Sequence, residues 1–113
     1  MSKPKKETRI KHEKQRLLRI FADLDANKLA ACDALICRAA FITVSLQDLE
    51  EELAEYGWVE GYQNGENQHG LKKSAAADVH ISLTKNLNAI IKQLLDLCPP
   101  SVKKSKLEEL MGS

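Results

Sequence analysis

Residues 26–57 read ANKLAACDALICRAAFITVSLQDLEEELAEYG, an unbroken helical pattern around which the rest of the chain is organised. Asp25 precedes it as a candidate N-cap, Gly57 follows it as a candidate C′ residue, and no Gly or Pro lies between them. About 30 helical residues span about 45 Å. Its apolar side chains recur at alternating spacings of three and four, which is typical of a coiled coil or a long helical hairpin. This first seam contains Cys32, Leu35, Ala39, Ile42, Leu46, Leu49, Leu53 and Tyr56.

A second apolar helix is predicted after Ser74, a good N-cap, and it ends before Pro99 and Pro100. Its seam contains Ala76, Val79, Leu83, Leu87, Ile90, Leu94 and Leu97. Two long helices with matching seams and one connection fold back antiparallel, because each has a stripe that it cannot bury alone. The sequence therefore predicts an all-α fold built on a long antiparallel helical hairpin.

Both helices carry further apolar residues off their seams, and one partner helix cannot cover them all. These are Ile36, Ala40, Phe41 and Val44 on the first helix and Ile81, Ile91 and Leu95 on the second. A basic N-terminal helix can supply part of the cover through Ile10, Leu17, Leu18, Ile20, Phe21 and Leu24. Neighbouring copies of the chain could supply the rest, so we expect a homo-oligomer.

The connection between the two long helices contains Asn64-Gly65, the strongest short signal for a type I′ β-hairpin turn. The segments WVEGYQ and ENQHGL would form its two arms. A two-stranded ribbon alone is marginal in water, so its order requires Trp58, Val59 or Tyr62 to dock on another surface. We expect a short, mobile and functional protrusion; the alternative is a flexible loop without a function.

The length of 113 residues and the apolar content of 43% predict a single helical domain over residues 1–113. Its expected parts are a basic N-terminal helix and tail (1–24), a long helix (26–56), a hairpin-like connection (57–73), a second long helix (75–97) and a short C-terminal helix (101–111). Three cysteines without paired spacing predict free thiols and a reducing, cytoplasmic location. No secretory signal is recognised, and no apolar run approaches the roughly 18 residues of a membrane span, so we expect no membrane contact.

The residues that could carry catalysis or bind a metal are scattered. His12, His69 and His80 lie on different predicted elements, and Cys32 and Cys37 are about 140° apart around a helix. No serine has the flanking glycines of a nucleophile elbow, and no Gly-rich phosphate loop precedes a helix. We therefore expect a protein that is not an enzyme, with no catalytic residue, metal site or cofactor.

Charge is strongly partitioned along the chain. Residues 1–20 hold eight Lys or Arg against two Glu, whereas residues 21–66 hold ten acidic against two basic side chains. Such asymmetry indicates contact with a polyanion or pairing between subunits. The basic segment could bind DNA phosphates, and the alternative is a solvated basic tail. Its candidate DNA-binding residues are Lys5, Lys6, Arg9, Lys14, Arg16 and Arg19.

Four stretches carry a resemblance to a known family: ALICRAAFIT, LQDLEEEL, YQNGENQHGLKKSAA and IIKQLLDLCPP. Over roughly residues 9–105 the chain resembles the P27-like phage terminase small-subunit family. The resemblance implies a subunit that recognises double-stranded viral DNA, forms homo-oligomeric rings and regulates the terminase large subunit in the host cytoplasm. Lys72 and Lys73 match the family's basic segment before its last long helix, which adds both to the candidate DNA-binding residues. The alternative is a helical interaction or structural protein with no DNA role.

Overall fold

The computed structural model describes residues 3–63 and 69–112. Its elements are α1 (Lys6–Ile20), α2 (Ala26–Tyr56), β1 (Val59–Gln63), β2 (His69–Lys73), α3 (Ala75–Asp96), a 3₁₀ turn (Pro100–Val102) and α4 (Lys103–Met111). The long helix α2 packs against both α1 and α3, and α4 contacts α1 and α3. The predicted helical hairpin with a basic N-terminal helix, a two-stranded protrusion and a short C-terminal helix is confirmed.

Both ends of α2 and the start of α3 lie at the predicted capping residues. The Asp25 carboxylate accepts a hydrogen bond from the backbone N–H of Lys28 (3.0 Å), and the Ser74 hydroxyl accepts one from the N–H of Ala77 (3.1 Å). Gly57 ends α2 with φ +89° and ψ 165°, a conformation that is almost restricted to glycine. These local signals fix both ends of α2 and the start of α3.

The hydrophobic core lies between α1, α2 and α3, with α4 closing one end. Phe21, Ile36 and Leu94 have no exposed surface, and burying a side chain of this size stabilises a fold by about 1.5–3 kcal/mol. Ile36 and Ala40 lie in the same buried cluster as Leu17, so the N-terminal helix provides the expected cover. Phe41, in contrast, remains 51% exposed.

The predicted seams are wrong near the protrusion. Tyr56 is 74% exposed and Val79 is 47% exposed, whereas Ala77 is buried in place of the half-buried Ala76. At this end the antiparallel strands β1 and β2 connect the two helices. Because α3 starts directly after β2, the strand and the Ser74 cap set the rotation of its first turn.

The protrusion is an antiparallel ribbon of β1 and β2. Val59 pairs with Lys73 and Gln63 pairs with His69. This corrects the predicted register, because a two-residue turn after Gln63 would place Gln63 opposite residue 66. The predicted Asn64-Gly65 turn and residues 66–68 of the predicted second arm lie outside the described residues.

At the base of the ribbon, Trp58 contacts helix α3. Trp58 packs edge-to-face on His80, with ring centroids 5.3 Å apart. Val59, the second residue expected to dock, is 55% exposed. The side chain of Tyr62, the third, lies outside the described part.

The molecule is long and thin, with extents of 63 × 35 × 22 Å. Its radius of gyration is 18.1 Å, against about 13 Å for a compact domain of this length. The 31 residues of α2 span about 46 Å, and a five-residue strand extends about 17 Å. Together they account for the long dimension.

The expectation that no segment approaches a membrane span is wrong for α2. An 18-residue window of this helix has a mean hydropathy of 1.8 and at most two charged residues, and 39% of the window is buried inside the protein. Length and composition of this kind are shared by membrane spans and by core helices of water-soluble proteins. In this structure α2 is the central helix of the fold.

Candidate nucleic-acid interface

The amphipathic character of α1 positions the candidate DNA-binding residues. Ile10, Leu17 and Phe21 follow one another at helical spacing and face the core. Glu7 in the first turn and Arg19 in the last turn complement the helix dipole. The polar side chains of α1 are therefore divided between the edges that touch α2 and the face that touches solvent.

Arg9 lies at an edge and is bound to α2. Its guanidinium donates hydrogen bonds to the carboxylate of Asp48 (2.6 Å) and to the side-chain oxygen of Gln47 (3.0 Å). The nearby Lys3 ammonium contacts Asp48 (3.0 Å) and Glu51 (2.6 Å). Hydrogen bonds from Arg9 and then Lys3 lower the pKa of Asp48 below its usual range. Part of the basic head therefore pairs with the acidic middle of the same chain.

Three further candidates are also engaged within the protein. Lys6 places its ammonium 5.0 Å from the centre of the Phe41 ring, a cation–π contact. Lys14 is 4.0 Å from the carboxylate of Asp33. Arg16 pairs with Glu13 (3.1 Å) and donates to backbone carbonyl oxygens of α4, including that of Leu110 (2.6 Å). These contacts tie α1 to α2 and α4.

The solvent face of α1 carries the remaining basic side chains. Within the described residues, no ion pair engages Lys5, Lys11 or Arg19, and all three are exposed. We define the α1 basic stripe as Lys5, Thr8, Lys11, His12, Gln15 and Arg19. It contains no carboxylate. Lys11 was missed by sequence reasoning, although its position on the face opposite Ile10 and Leu17 could have identified it.

Lys72 and Lys73 lie on a different element, strand β2. Lys72 is 3.5 Å from the carboxylate of Glu60 on β1, and Lys73 is 3.5 Å from that of Asp78 in the first turn of α3. No hydrogen bond or ion pair among the described residues joins them to α1. The structure thus brings Lys5 and Arg19 onto one face but does not add the ribbon lysines to it.

The cysteines and histidines form no metal-binding group in the described part of the chain. Among residues 3–63 and 69–112, no group of three His, Cys, Asp or Glu side chains is arranged to hold a metal ion. All three cysteines are free thiols, and burial raises the pKa of Cys32 and Cys98. A raised thiol pKa reduces the thiolate fraction and hence the reactivity of both groups.

Comparisons of this chain with protein-family models, with curated proteins and with solved structures found no match.

Proposed function

We propose that this protein is a non-catalytic, oligomeric DNA-binding subunit of the phage terminase small-subunit type, which helps deliver viral DNA to the large subunit in the host cytoplasm. The α1 basic stripe is the observation that carries the DNA-binding part. The resemblance of the sequence to the P27-like family supports the terminase part.

The stripe fits the requirements of phosphate binding. The 15 residues of α1 extend about 22 Å, and an α-helix with its side chains is about as wide as the major groove of B-DNA. Lysine and arginine that contact phosphates release condensed counterions, which favours binding without reading sequence. Because Lys5, Lys11 and Arg19 have no carboxylate partner among residues 3–63 and 69–112, no ion pair of this part of the chain must break before they meet DNA.

The alternative is a helical interaction protein with no DNA role. The observation in its favour is that Lys3, Arg9 and Lys14 already pair with carboxylates of α2. A basic segment neutralised in this way holds α1 against α2 and is not a binding site for a polyanion. The free stripe residues, not the paired ones, therefore provide the decisive test.

The test compares duplex binding by two variants with the same change in charge. Replacing Lys5, Lys11 and Arg19 with Gln should weaken binding to every duplex sequence and reduce the salt-dependence slope by up to about 0.9 per lost phosphate contact. The control replaces Lys85, Lys92 and Lys104, which are exposed on α3 and α4. Gel-shift titrations at several salt concentrations give both affinities and both slopes.

The control variant should retain the parent slope. Equal losses in both variants would mean that net charge rather than the stripe governs binding. Unchanged affinity in the stripe variant, or no duplex binding by the parent protein, would favour the interaction-protein alternative. Arg9→Gln is a poorer probe, because it also breaks the hydrogen bond to Asp48.

A further inference from the structure

We propose that a groove between α3 and α4 binds an acidic amphipathic helix of a partner protein. This outer groove is defined by Ile91, Leu95 and Leu107 at its floor and by Lys92, Lys103 and Lys104 at its rim. The proposal is independent of DNA binding, since none of these residues belongs to the α1 basic stripe.

The floor of the groove is apolar and reaches solvent. Leu107 is 42% exposed, and Ile91 and Leu95 are only half-buried, although all three lie on helices with regular packing elsewhere. Ile91 and Leu95 lie one helical turn apart on α3, and Leu107 of α4 lines the same groove. Toward the start of α3 the same side carries polar residues, among them Lys85 and Asn88, so the apolar floor is about one turn long. A floor of this length accommodates one or two leucine-like side chains of an amphipathic helix.

The rim of the groove is basic. Lys92 and Lys104 are exposed and have no ion pair among the described residues. Asp96 is the one carboxylate of the groove, and Lys103 already contacts it at 3.2 Å. A partner that places carboxylates beside the rim and leucine-like side chains on the floor would satisfy both parts of the surface.

The stability of α4 does not explain the two lysines at its start. Lys103 and Lys104 occupy the first turn of α4, where the helix dipole disfavours cations, and this turn contains no acidic residue. The two lysines therefore destabilise the start of α4 slightly. Carboxylates bound beside them would offset their unfavourable interaction with the helix dipole.

An apolar floor beside basic side chains distinguishes a helix-binding groove from a surface for DNA. Phosphate binding requires cations but no leucine. The three apolar side chains together with the lysines therefore favour an acidic amphipathic helix, and lipid binding is tested as the other outcome.

The experiment uses the full chain and three fluorescein-labelled peptides of about 18 residues, long enough for several helical turns. The first peptide has leucine at every third or fourth position and glutamate elsewhere. The second has lysine in place of glutamate, and the third has the composition of the first in a scrambled order. Fluorescence anisotropy should show binding of the first peptide and at least about tenfold weaker binding of the other two.

Matched variants locate the binding surface. Leu107→Ser and the double change Lys92→Glu/Lys104→Glu should each weaken binding about tenfold. Their controls are Leu71→Ser on the ribbon, where the leucine is 75% exposed, and Lys5→Glu/Lys11→Glu on α1. All four changes are at positions with solvent exposure, and circular dichroism should show unchanged helix content.

Several outcomes would overturn the proposal. Binding of the scrambled or basic peptide as tightly as the acidic one would exclude the stated partner chemistry. Parent-like affinity in either groove variant, or equal losses in the controls, would place the peptide elsewhere. No peptide binding, together with Leu107-dependent binding to phosphatidylglycerol vesicles, would identify a membrane surface instead.

Discussion

Lys106 connects α4 to the end of α1 although its side chain is almost inaccessible to solvent. Its ammonium donates to the carbonyl oxygen of Ile20 (2.6 Å) and to the carboxylate of Asp23 (2.9 Å). The first acceptor is one of the carbonyl groups that a helix C-terminus leaves without a partner. The hydrogen bond with Asp23 raises the pKa of Lys106, and the same bond lowers the pKa of Asp23.

Lys106→Met should destabilise the protein while preserving the apolar length of the side chain. The change removes a charge-assisted hydrogen bond to Ile20, and losses of this kind cost about 1–3 kcal/mol. Thermal melting at neutral pH provides the measurement. Asp23→Asn is the control, because it keeps the bond to Ile20 and removes only an exposed carboxylate; its effect should be smaller.

The stabilisation by the Lys106–Asp23 pair should depend on pH at both extremes. The depressed pKa of Asp23 means that its contribution is present above the unfolded value of about 4 and is lost as pH falls through the folded pKa. The raised pKa of Lys106 means that its contribution is present below about 10.4 and is lost as pH rises through the folded pKa. The difference in melting temperature between parent and Asp23→Asn should shrink at low pH. A difference that grows below pH 4 would contradict the pairing.

Individual side chains show which part of the candidate site the sequence could predict. Helical periodicity is sufficient to place Lys5 and Arg19 on the side away from Leu17, because burial of the apolar side chains determines which side chains face solvent. It cannot reveal that Arg9 binds Asp48, since the two residues are 39 positions apart and meet only after α1 folds onto α2. For the same reason the sequence did not identify Lys106.

Helices and strands differ in how much of their geometry is encoded locally. Asp25, Gly57 and Ser74 mark the ends of α2 and the start of α3, because capping depends on residues within one turn. The ribbon register depends on pairing across the connection, and the Asn-Gly signal alone predicted a register in which Gln63 lies opposite residue 66 rather than His69. Rotation of the first turn of α3 depends in turn on that ribbon, which explains why Ala77 rather than Ala76 is buried.

Gly57→Ala should strain the junction between α2 and the ribbon. Gly57 has φ +89° and ψ 165°, and placing a side chain in such a region costs about 1–3 kcal/mol. Gly61→Ala is the matched control, because a Cβ at Gly61 meets no atom within 4 Å. Urea unfolding curves of the two variants should separate, with Gly57→Ala the less stable. Equal stabilities would show that the junction relaxes without strain.

The charge asymmetry of the sequence is smaller in the folded molecule, because ion pairs within the chain compensate part of it. The basic head and the acidic middle suggested a polyanion or a neighbouring subunit as partner. Within the described residues, contacts of Lys3, Arg9 and Lys14 with α2 show that part of the asymmetry is compensated inside one chain. The remaining excess is concentrated on the α1 basic stripe and around the outer groove, on different elements.

The shape of the molecule leads to a prediction about self-association. Tyr56, Val59, Leu71 and Val79 are all about half or more exposed around the ribbon. A two-stranded ribbon with an uncovered apolar side gains little stability from its own contacts, so contact with a second copy would offset the cost of ordering it. We therefore expect light scattering to give a mass that is a multiple of 12.6 kDa and that decreases on dilution.

Removal of two apolar side chains at the ribbon should shift this equilibrium towards 12.6 kDa. The variant Tyr56→Ser/Leu71→Ser removes the two most exposed of them. Its control, Leu107→Ser/Met111→Ser, removes the same number of apolar side chains from α4, which packs against α1 and α3. Only the first should lower the mass at a given concentration, because the ribbon is the surface expected to contact the second copy. A parent protein of 12.6 kDa at every concentration would show that the homo-oligomer prediction is wrong, and an equal shift in both variants would place the contact outside the ribbon.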